Sequence, residues 1–452
     1  MVRLWNQESV QWKIGLQAGG EALSCRMGGE PRQLLVELGE TGKVTAELLR
    51  RAAAKAVKSV QQFGGESAVL DAAAAAEALG ADGLTALAQG AGLAQYQRET
   101  WKERQDKPFA LYLTGADVEN AQALLDEAAV LVKSICFARD LTNRPANKLT
   151  PVLMAECVAE AAQKVGVEVQ TLDENETRAL GMEAYHAVGD SSANPPRLIV
   201  LRWKGGRPEQ APIALVGKGV CFDSGGYCLK GRAGMEHMNG DMGGGAAVCG
   251  AILALAENKV PVNAVAVVPA VENRISDSSF LPSFVIGSMA GKTIEIGNTD
   301  AEGRLILVDA ITYAIRKENA AKVVDIATLT GAIAQMLGGV ASGSMSNDDA
   351  FYAELETAAA RSGEKFWRMP DFPEYKKLIE TPAADLRNTT NGGAGAIAAA
   401  LFIGAFAEDK PWIHLDIAGT GSAKDGGKEY QAKGATGVGV ATLYELCKGM
   451  AQ

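Results

Sequence analysis

The chain has 452 residues, 47% hydrophobic and 22% charged, the composition of an ordinary soluble globular protein with length enough for two domains. A net charge of -10 argues against nucleic acid or an anionic membrane as the default partner. Seven cysteines, an odd number spread from Cys25 to Cys447 without a CxxC pair, point to reduced thiols rather than a disulfide framework. The first ten residues lack the basic-then-apolar run of a secretory signal. Ala396 to Ala407, the longest apolar stretch, is too short to span a bilayer. A soluble, cytoplasmic protein is expected.

Residues 1 to about 115 mix short β-like segments (Trp12 to Leu16, Gln33 to Glu37, Phe109 to Leu113) with Ala-rich helical ones (Ala46 to Gln62, Ala72 to Leu79). This part carries no cluster of Asp, His or Cys. Asp117 to Phe137 repeats Ala121, Leu124, Leu125, Ala128, Leu131 and Val132 at helical spacing, which predicts a long bridging helix. Loop chemistry at Asn143-Arg-Pro-Ala-Asn147 sets the boundary near Pro145, dividing the chain into residues 1–145 and 146–452.

Beyond it, strands and helices alternate, so a mixed or parallel sheet covered by helices is expected: an α/β fold with a smaller N-terminal and a larger C-terminal domain. The patterns predict a helix over Met154 to Val165 and strands over Leu198 to Trp203 and Ile213 to Phe222. A helix over Gly244 to Glu257, a strand over Val262 to Pro269 and a helix over Glu302 to Asn319 follow. The remainder reads as strand Val323 to Leu329, helix Ala396 to Ala407, strand Trp412 to Ile417 and helix Thr436 to Cys447.

Asn298-Thr-Asp-Ala-Glu-Gly-Arg-Leu305 brings two carboxylates and a guanidinium together between a β-type segment, Lys292 to Ile296, and an apolar helical run. Asp300 and Glu302 are two apart, so in an extended turn both project to one side. A polar helix N-terminus would also favour acids there, and that stretch alone leaves both readings open. Val216-Gly-Lys-Gly-Val-Cys-Phe-Asp-Ser-Gly-Gly-Tyr-Cys-Leu-Lys230, with Met238-Asn-Gly-Asp-Met-Gly-Gly244 after it, threads Lys218, Asp223, Lys230 and Asp241 among glycines. Asp223 falls at the carboxyl end of a strand, where α/β folds gather their ligand sites. Asp223, Asp241, Asp300 and Glu302 placed together would repel one another unless divalent cations lay between them, which argues for two metal ions.

These two stretches resemble the signature segments of the leucine aminopeptidase (cytosol aminopeptidase) family of two-metal exopeptidases. Arg139-Asp-Leu-Thr-Asn-Arg-Pro-Ala-Asn-Lys-Leu-Thr-Pro151, Pro195-Pro-Arg-Leu-Ile199, Ser346-Asn-Asp-Asp349 and Trp412-Ile-His-Leu-Asp-Ile-Ala-Gly419 fit the same pattern in order. The resemblance implies a metal-dependent aminopeptidase that removes the N-terminal residue, preferably Leu or another apolar one, from peptides. It implies that Asp223 and Glu302 bridge two ions (Zn or Mn, possibly Mg), that Asp300 completes one shell and that Lys218 and Asp241 complete the other. In that scheme Lys218 binds as a neutral amine, against its ordinary charge, because a nearby cation disfavours the ammonium. Lys230 would stabilise the oxyanion, and Arg304 would hold a bicarbonate as proton shuttle. Met238, Asn298, Ala301, Thr328, Gly331 and Ala435 would line the pocket for the first side chain. The family also implies a homohexamer, with the N-terminal domain serving assembly.

Asn239, Cys228 and Gly231 stand where the family more often has a basic residue, Ser and Pro; none is an implied ligand. His186, His237 and His414 are scattered, with no HExxH or HxH spacing, and His414 reads as a core residue. Cys221 and Cys228 flank the site and read as packing residues. The Lys218 segment is not a phosphate-binding Walker loop, because no Ser or Thr follows the lysine. A catalytically inactive oligomeric binding or structural protein would be marked by lost ligands, and all five are present.

Overall fold

The computed structural model describes residues 2–6, 9–28, 32–40, 42–102, 109–390, 392–424 and 426–451. The chain forms two compact units, one of Met1–Cys136 with Ala423–Gly434, the other of Phe137–Ser422 with Ala435–Gln452. The division falls inside the helix Ala121–Asn143, which extends past the Phe137 end predicted from its periodicity.

In the first unit a six-stranded sheet runs in the order Val2–Leu4, Ala110–Thr114, Ser67–Asp71, Trp12–Gln17, Arg32–Glu37, Cys25–Gly28. Only the last strand is antiparallel to its neighbour. Thr45 caps the helix Ala46–Gln62 by accepting the Leu48 N–H at 3.2 Å, and Leu49, Ala53, Ala56, Val57 and Val60 form its buried face. The second Ala-rich helix runs Ala73–Ala94, well beyond Leu79, and is interrupted at Gly80, whose φ of 56° a helix cannot carry. Gly90 faces the Arg50 carbonyl so closely that a Cβ would sit 2.0 Å from it. Small residues thus bring the two helices almost into backbone contact.

The second unit holds a nine-stranded mixed sheet. Its order is Phe366–Arg368, Ser342–Ser346, Trp412–Asp416, Lys322–Ala327, Ile213–Gly217, Asn263–Asn273, Arg197–Lys204, Glu168–Leu172, with Gly219–Asp223 also paired to Asn263–Asn273. The four strands Trp412–Asp416, Lys322–Ala327, Ile213–Gly217 and Asn263–Asn273 are parallel, so their carboxyl ends share one edge. One face packs on the helices Glu183–Gly189, Glu302–Arg316 and Gly395–Gly404 through Val188, Leu305, Ile311, Phe402 and their neighbours. Gly243–Glu257, buried from Gly244 to Ala256, packs on the same strands.

Three further expectations are corrected. The single strand Ile213 to Phe222 is two strands broken at Lys218, whose N–H bonds the Ile326 carbonyl at 3.0 Å and whose carbonyl accepts the Gly245 N–H at 2.8 Å. The break turns the Lys218 side chain off the sheet and into the site described below. The helix from Glu302 ends at Arg316 rather than Asn319, which is left-handed with φ 55°. The last helix is Val440–Gly449, because Gly437 and Gly439, at φ 71° and 94°, hold the preceding segment out of helical conformation. Among the described residues no helix is long and apolar enough to cross a membrane.

Candidate metal centre

The carboxyl edge of the parallel strands gathers all five residues proposed as ligands. Asp223 ends the strand Gly219–Asp223, Asp241 follows a short 3-10 turn, and Glu302 opens the buried helix Glu302–Arg316. One oxygen each of Asp223, Asp300 and Glu302 lies within 4.8 Å of the others. Lys218 Nζ sits between Asp241 Oδ2 (2.6 Å), Glu302 Oε1 (2.9 Å) and the Thr328 carbonyl (3.0 Å). Lys230 Nζ reaches Asp223 Oδ2 at 2.7 Å and pairs with Asp300.

Asp223, Asp241 and Glu302 are buried, and Asp300 is partly so. Four carboxylates face two ammonium groups, and of the four only Asp300 is open enough to water to solvate its charge. Glu302 Oε2 is buried and accepts no hydrogen bond. The titration directions follow. Burial and the Glu302 charge push Asp223 up to about 6, and burial pushes Asp241 well above the carboxylate range. Burial works the same way on Glu302, but the ammonium groups of Lys218 and Lys230 overcome it and hold it low. Burial alone would lower Lys218; Asp241, Glu302 and Asp223 outweigh it and hold the side chain as an ammonium. An oxygen-rich, anion-surplus cluster with an orphaned carboxylate oxygen fits divalent cations.

The supporting groups were not legible as such. Asn273, fully buried at the end of Asn263–Asn273, donates to Asp223 Oδ1 at 2.8 Å, as does the Gly225 N–H at 2.8 Å. Its amide also reaches the Thr299 carbonyl at 3.0 Å, linking the Asp223 strand to the Asp300 loop. Asn388 threads that loop from the other side: its Oδ1 accepts Gly297 N–H at 2.8 Å, and its Nδ2 donates to the Asn298 carbonyl at 2.8 Å. A polar side chain at the carboxyl end of an otherwise apolar strand is the signal that marked Asp223, and it marks Asn273 equally.

Arg304 is buried, donates to the Asn388 carbonyl at 2.7 Å, and keeps its Nε without an acceptor. Burial lowers its pKa to about 10, so it stays charged at neutral pH. Of the residues expected to line a pocket, Thr328 donates its hydroxyl to Asp241 Oδ1 at 2.8 Å, and Asn298 accepts the Asp300 N–H at 2.8 Å. Ala301 is the N-cap before Glu302. Met238 meets Asp241 through its backbone, its carbonyl accepting the Asp241 N–H at 3.4 Å, while Gly331 opens the helix Gly331–Leu337. The Ala435 N–H donates to Asn143 Oδ1 at 3.0 Å.

No histidine joins the cluster. His237 is exposed, His186 bonds Thr177 (2.9 Å), and His414 is buried against Asp325 at 2.5 Å. Burial pushes the Cys221 thiol up, which makes it inert packing. A cavity of ≈ 630 Å³ lies elsewhere in the second unit, bordered by Ile213, Val262 and Lys322 at the amino ends of the parallel strands. Its size does not make it the site, because the clustered ionisable groups lie at the opposite strand ends.

Comparison with known proteins gives a consistent picture. The catalytic domain of the cytosol aminopeptidase family matches residues 136–444, and that family's N-terminal domain matches residues 20–105. A probable cytosol aminopeptidase of Clostridium perfringens is 45% identical over 422 residues, covering 91% of this chain and 85% of the relative. One from Alkaliphilus oremlandii is 42% identical over 429 residues, covering 92% and 85%. Among solved structures, the bottromycin maturation enzyme BotP in complex with Mn superposes with a TM-score of 0.91 at 30% identity, covering 98% of this chain and 100% of that one. A tomato leucine aminopeptidase mutant gives 0.89 at 29% identity, covering 99% and 96%.

Proposed function

Since the chain belongs to the cytosol aminopeptidase family of peptide hydrolases, we propose that it removes N-terminal residues from peptides using two divalent cations held by Lys218, Asp223, Asp241, Asp300 and Glu302. The observation that carries this reading is the buried cluster of four carboxylates against two ammonium groups, with Glu302 Oε2 unbonded. Zn or Mn fits the donor set, with Mg a third choice; one structural relative was solved with Mn. A pair of such ions supplies an acidified water and a polarised carbonyl at neutral pH.

The protein's own groups then divide the work. Lys230, at 16% side-chain exposure against 3% for Lys218, is the ammonium open to substrate and donates to the oxyanion as the carbonyl is attacked. Arg304, charged and with Nε unspent, would hold a planar anion such as bicarbonate, whose chemistry there would be that of a proton shuttle. Met238, Asn298, Ala301, Thr328, Gly331 and Ala435 border the pocket for the first side chain; its apolar members favour Leu and Met. Residues 146–452 carry the chemistry, and residues 1–145 support a cytoplasmic homohexamer.

Three measurements test this. Glu302→Gln removes the charge of a residue assigned to both ions and should cut turnover by orders of magnitude while the circular dichroism spectrum stays unchanged. Near wild-type turnover after exhaustive chelation, in metal-free buffer, would refute the two-ion reading. Light scattering under active conditions tests assembly, and a monomer mass at micromolar concentration would count against the hexamer.

A further inference from the structure

Of the three acceptors around Lys218 Nζ, Asp241 and Glu302 are themselves proposed ligands. The Thr328 carbonyl at 3.0 Å is not. An amine that gives its lone pair to a cation keeps two N–H groups, and those must be satisfied in a buried place. The Thr328 carbonyl can take one of them without competing for the ion, and in doing so it fixes the rotation of the amine. The same residue donates its hydroxyl to Asp241 Oδ1 at 2.8 Å. Thr328 thus orients both residues assigned to one of the two ions.

Thr328 lies just where the strand Lys322–Ala327 leaves the sheet, and its position depends on the turn that follows. That turn is held by Asp416. Asp416 pairs in register with Ala327 at the end of the neighbouring strand and is fully buried. Its Oδ1 accepts the N–H groups of Leu329 (3.1 Å), Thr330 (3.4 Å) and Ala418 (3.1 Å), and its Oδ2 accepts the Thr330 hydroxyl at 2.7 Å. The Thr330 oxygen in turn accepts the Ile333 N–H at 3.1 Å, capping the next helix. Both oxygens of Asp416 are spent on Leu329, Thr330 and Ala418, and it is not among the acids grouped around Glu302. We propose that Asp416 is a positioning residue for Lys218: by clamping the Leu329–Thr330 turn it sets the Thr328 carbonyl and hydroxyl, which aim Lys218 and Asp241 at one of the two ions. This rests on the two-ion reading above.

The test is a Mn²⁺ titration of the chelator-stripped full chain by calorimetry, comparing wild type, Asp416→Ala, Asp416→Asn, Lys218→Ala and the Lys218→Ala/Asp416→Ala double variant. Wild type takes up two ions, and Lys218→Ala weakens one of them. Asp416→Ala weakens the same ion about 10–100-fold, the usual effect of losing a group that orients a ligand, and leaves the other within about twofold. Asp416→Asn, which keeps Oδ1 and can turn its amide to the Thr330 oxygen, restores most of the loss. In the Lys218→Ala background, removing Asp416 costs less than it does in wild type, because only its hold on Asp241 through Thr328 remains to be lost. Equal weakening of both ions, additive losses, or two intact ions in Asp416→Ala would overturn the inference. If Asp416→Ala does not fold, Thr330→Val, which cuts the hydroxyl tie alone, must show the same one-ion weakening, and unchanged binding there refutes it. Fewer than two ions in wild type would instead refute the two-ion reading, and the inference with it.

Discussion

Gly303 sits between two residues assigned to chemistry, Glu302 and Arg304, yet carries no side chain of its own. A Cβ built there would lie 2.5 Å from Lys218 Cε, 2.8 Å from Nζ and 2.9 Å from Cδ. Carbon atoms rest roughly 3.5–4.0 Å apart, so Gly303→Ala requires a shift of roughly 1 Å. Lys218 cannot yield cheaply, because its Nζ is already held by three acceptors at 2.6, 2.9 and 3.0 Å. A misplacement of about 1 Å at a reacting centre costs about 100-fold in rate, about 2.7 kcal/mol in the barrier. Stability should change far less: the gain of about 1 kcal/mol for Ala over Gly within a helix offsets part of an overpacking cost of about 1–3 kcal/mol. The assay is kcat/KM on an aminoacyl amide, with Mn²⁺ titration and thermal melting on the same preparations. A folded Gly303→Ala protein with one weakened ion and about 100-fold lower kcat/KM is expected. Wild-type kcat/KM with both ions intact would show that Lys218 does not need its observed place.

Other positions give independent tests. Asp309 accepts the Tyr185 N–H at 2.9 Å and the Met289 N–H at 2.8 Å, but burial dominates and pushes its carboxyl up to about 7. Its unfolded value is about 3.9, so between these limits the folded chain binds more protons and stability falls as pH rises, by on the order of 4 kcal/mol at most. The melting temperature of wild type should therefore drop relative to Asp309→Asn between pH 4 and 8; parallel curves would refute this. Asp325 accepts both the Trp412 indole N–H at 2.7 Å and a His414 ring nitrogen at 2.5 Å, wholly buried. Asp325→Ala should cost about 3–5 kcal/mol by leaving those partners stranded, and an unchanged urea midpoint would contradict it. Ala435→Phe should disfavour Leu and Met substrates relative to Ala, since Ala435 is 3% exposed and leaves no slack. An unchanged ranking would remove Ala435 from the pocket.

The carboxylate cluster was legible because acids at strand ends and at a helix start stand out against apolar neighbours, as Asp223 and Glu302 do. The interruption at Lys218 was not, since Gly-Lys-Gly within an apolar run looks the same whether the strand continues or breaks. The strand Ser342–Ser346 escaped for a different reason. It is wholly buried, but Ser342, Ser344 and Ser346 satisfy their hydroxyls on Thr420 (2.7 Å), Tyr352 (2.8 Å) and the Trp412 carbonyl (2.8 Å). Thr420 and Trp412 are distant in sequence, so nothing local in the serine-rich stretch marks the hydrogen bonds that permit a core strand there. Asp416 lies in the Trp412 to Gly419 motif, but three of its four donor contacts come from a turn 86 or 87 residues earlier. The helix from Ala73 was cut short at Leu79 because Ala and Gly give little periodic contrast beyond it.

Around Lys218 the chain runs backbone against backbone. A Cβ on Gly217 would lie 2.5 Å from the Gly244 carbonyl, on Gly244 2.0 Å from that of Ile326, and on Gly219 2.7 Å from that of Pro269. No rotamer relieves such overlaps, because the atoms met are main chain. Mutational tolerance along this seam should therefore be almost nil, for glycine to alanine as much as for larger changes. Substitution is then confined to side chains standing free of the seam, such as Tyr227 and Leu229, each at least half exposed on the loop between Asp223 and Lys230. The main-chain frame under the acid cluster can change only as a unit, while its rim can change one side chain at a time.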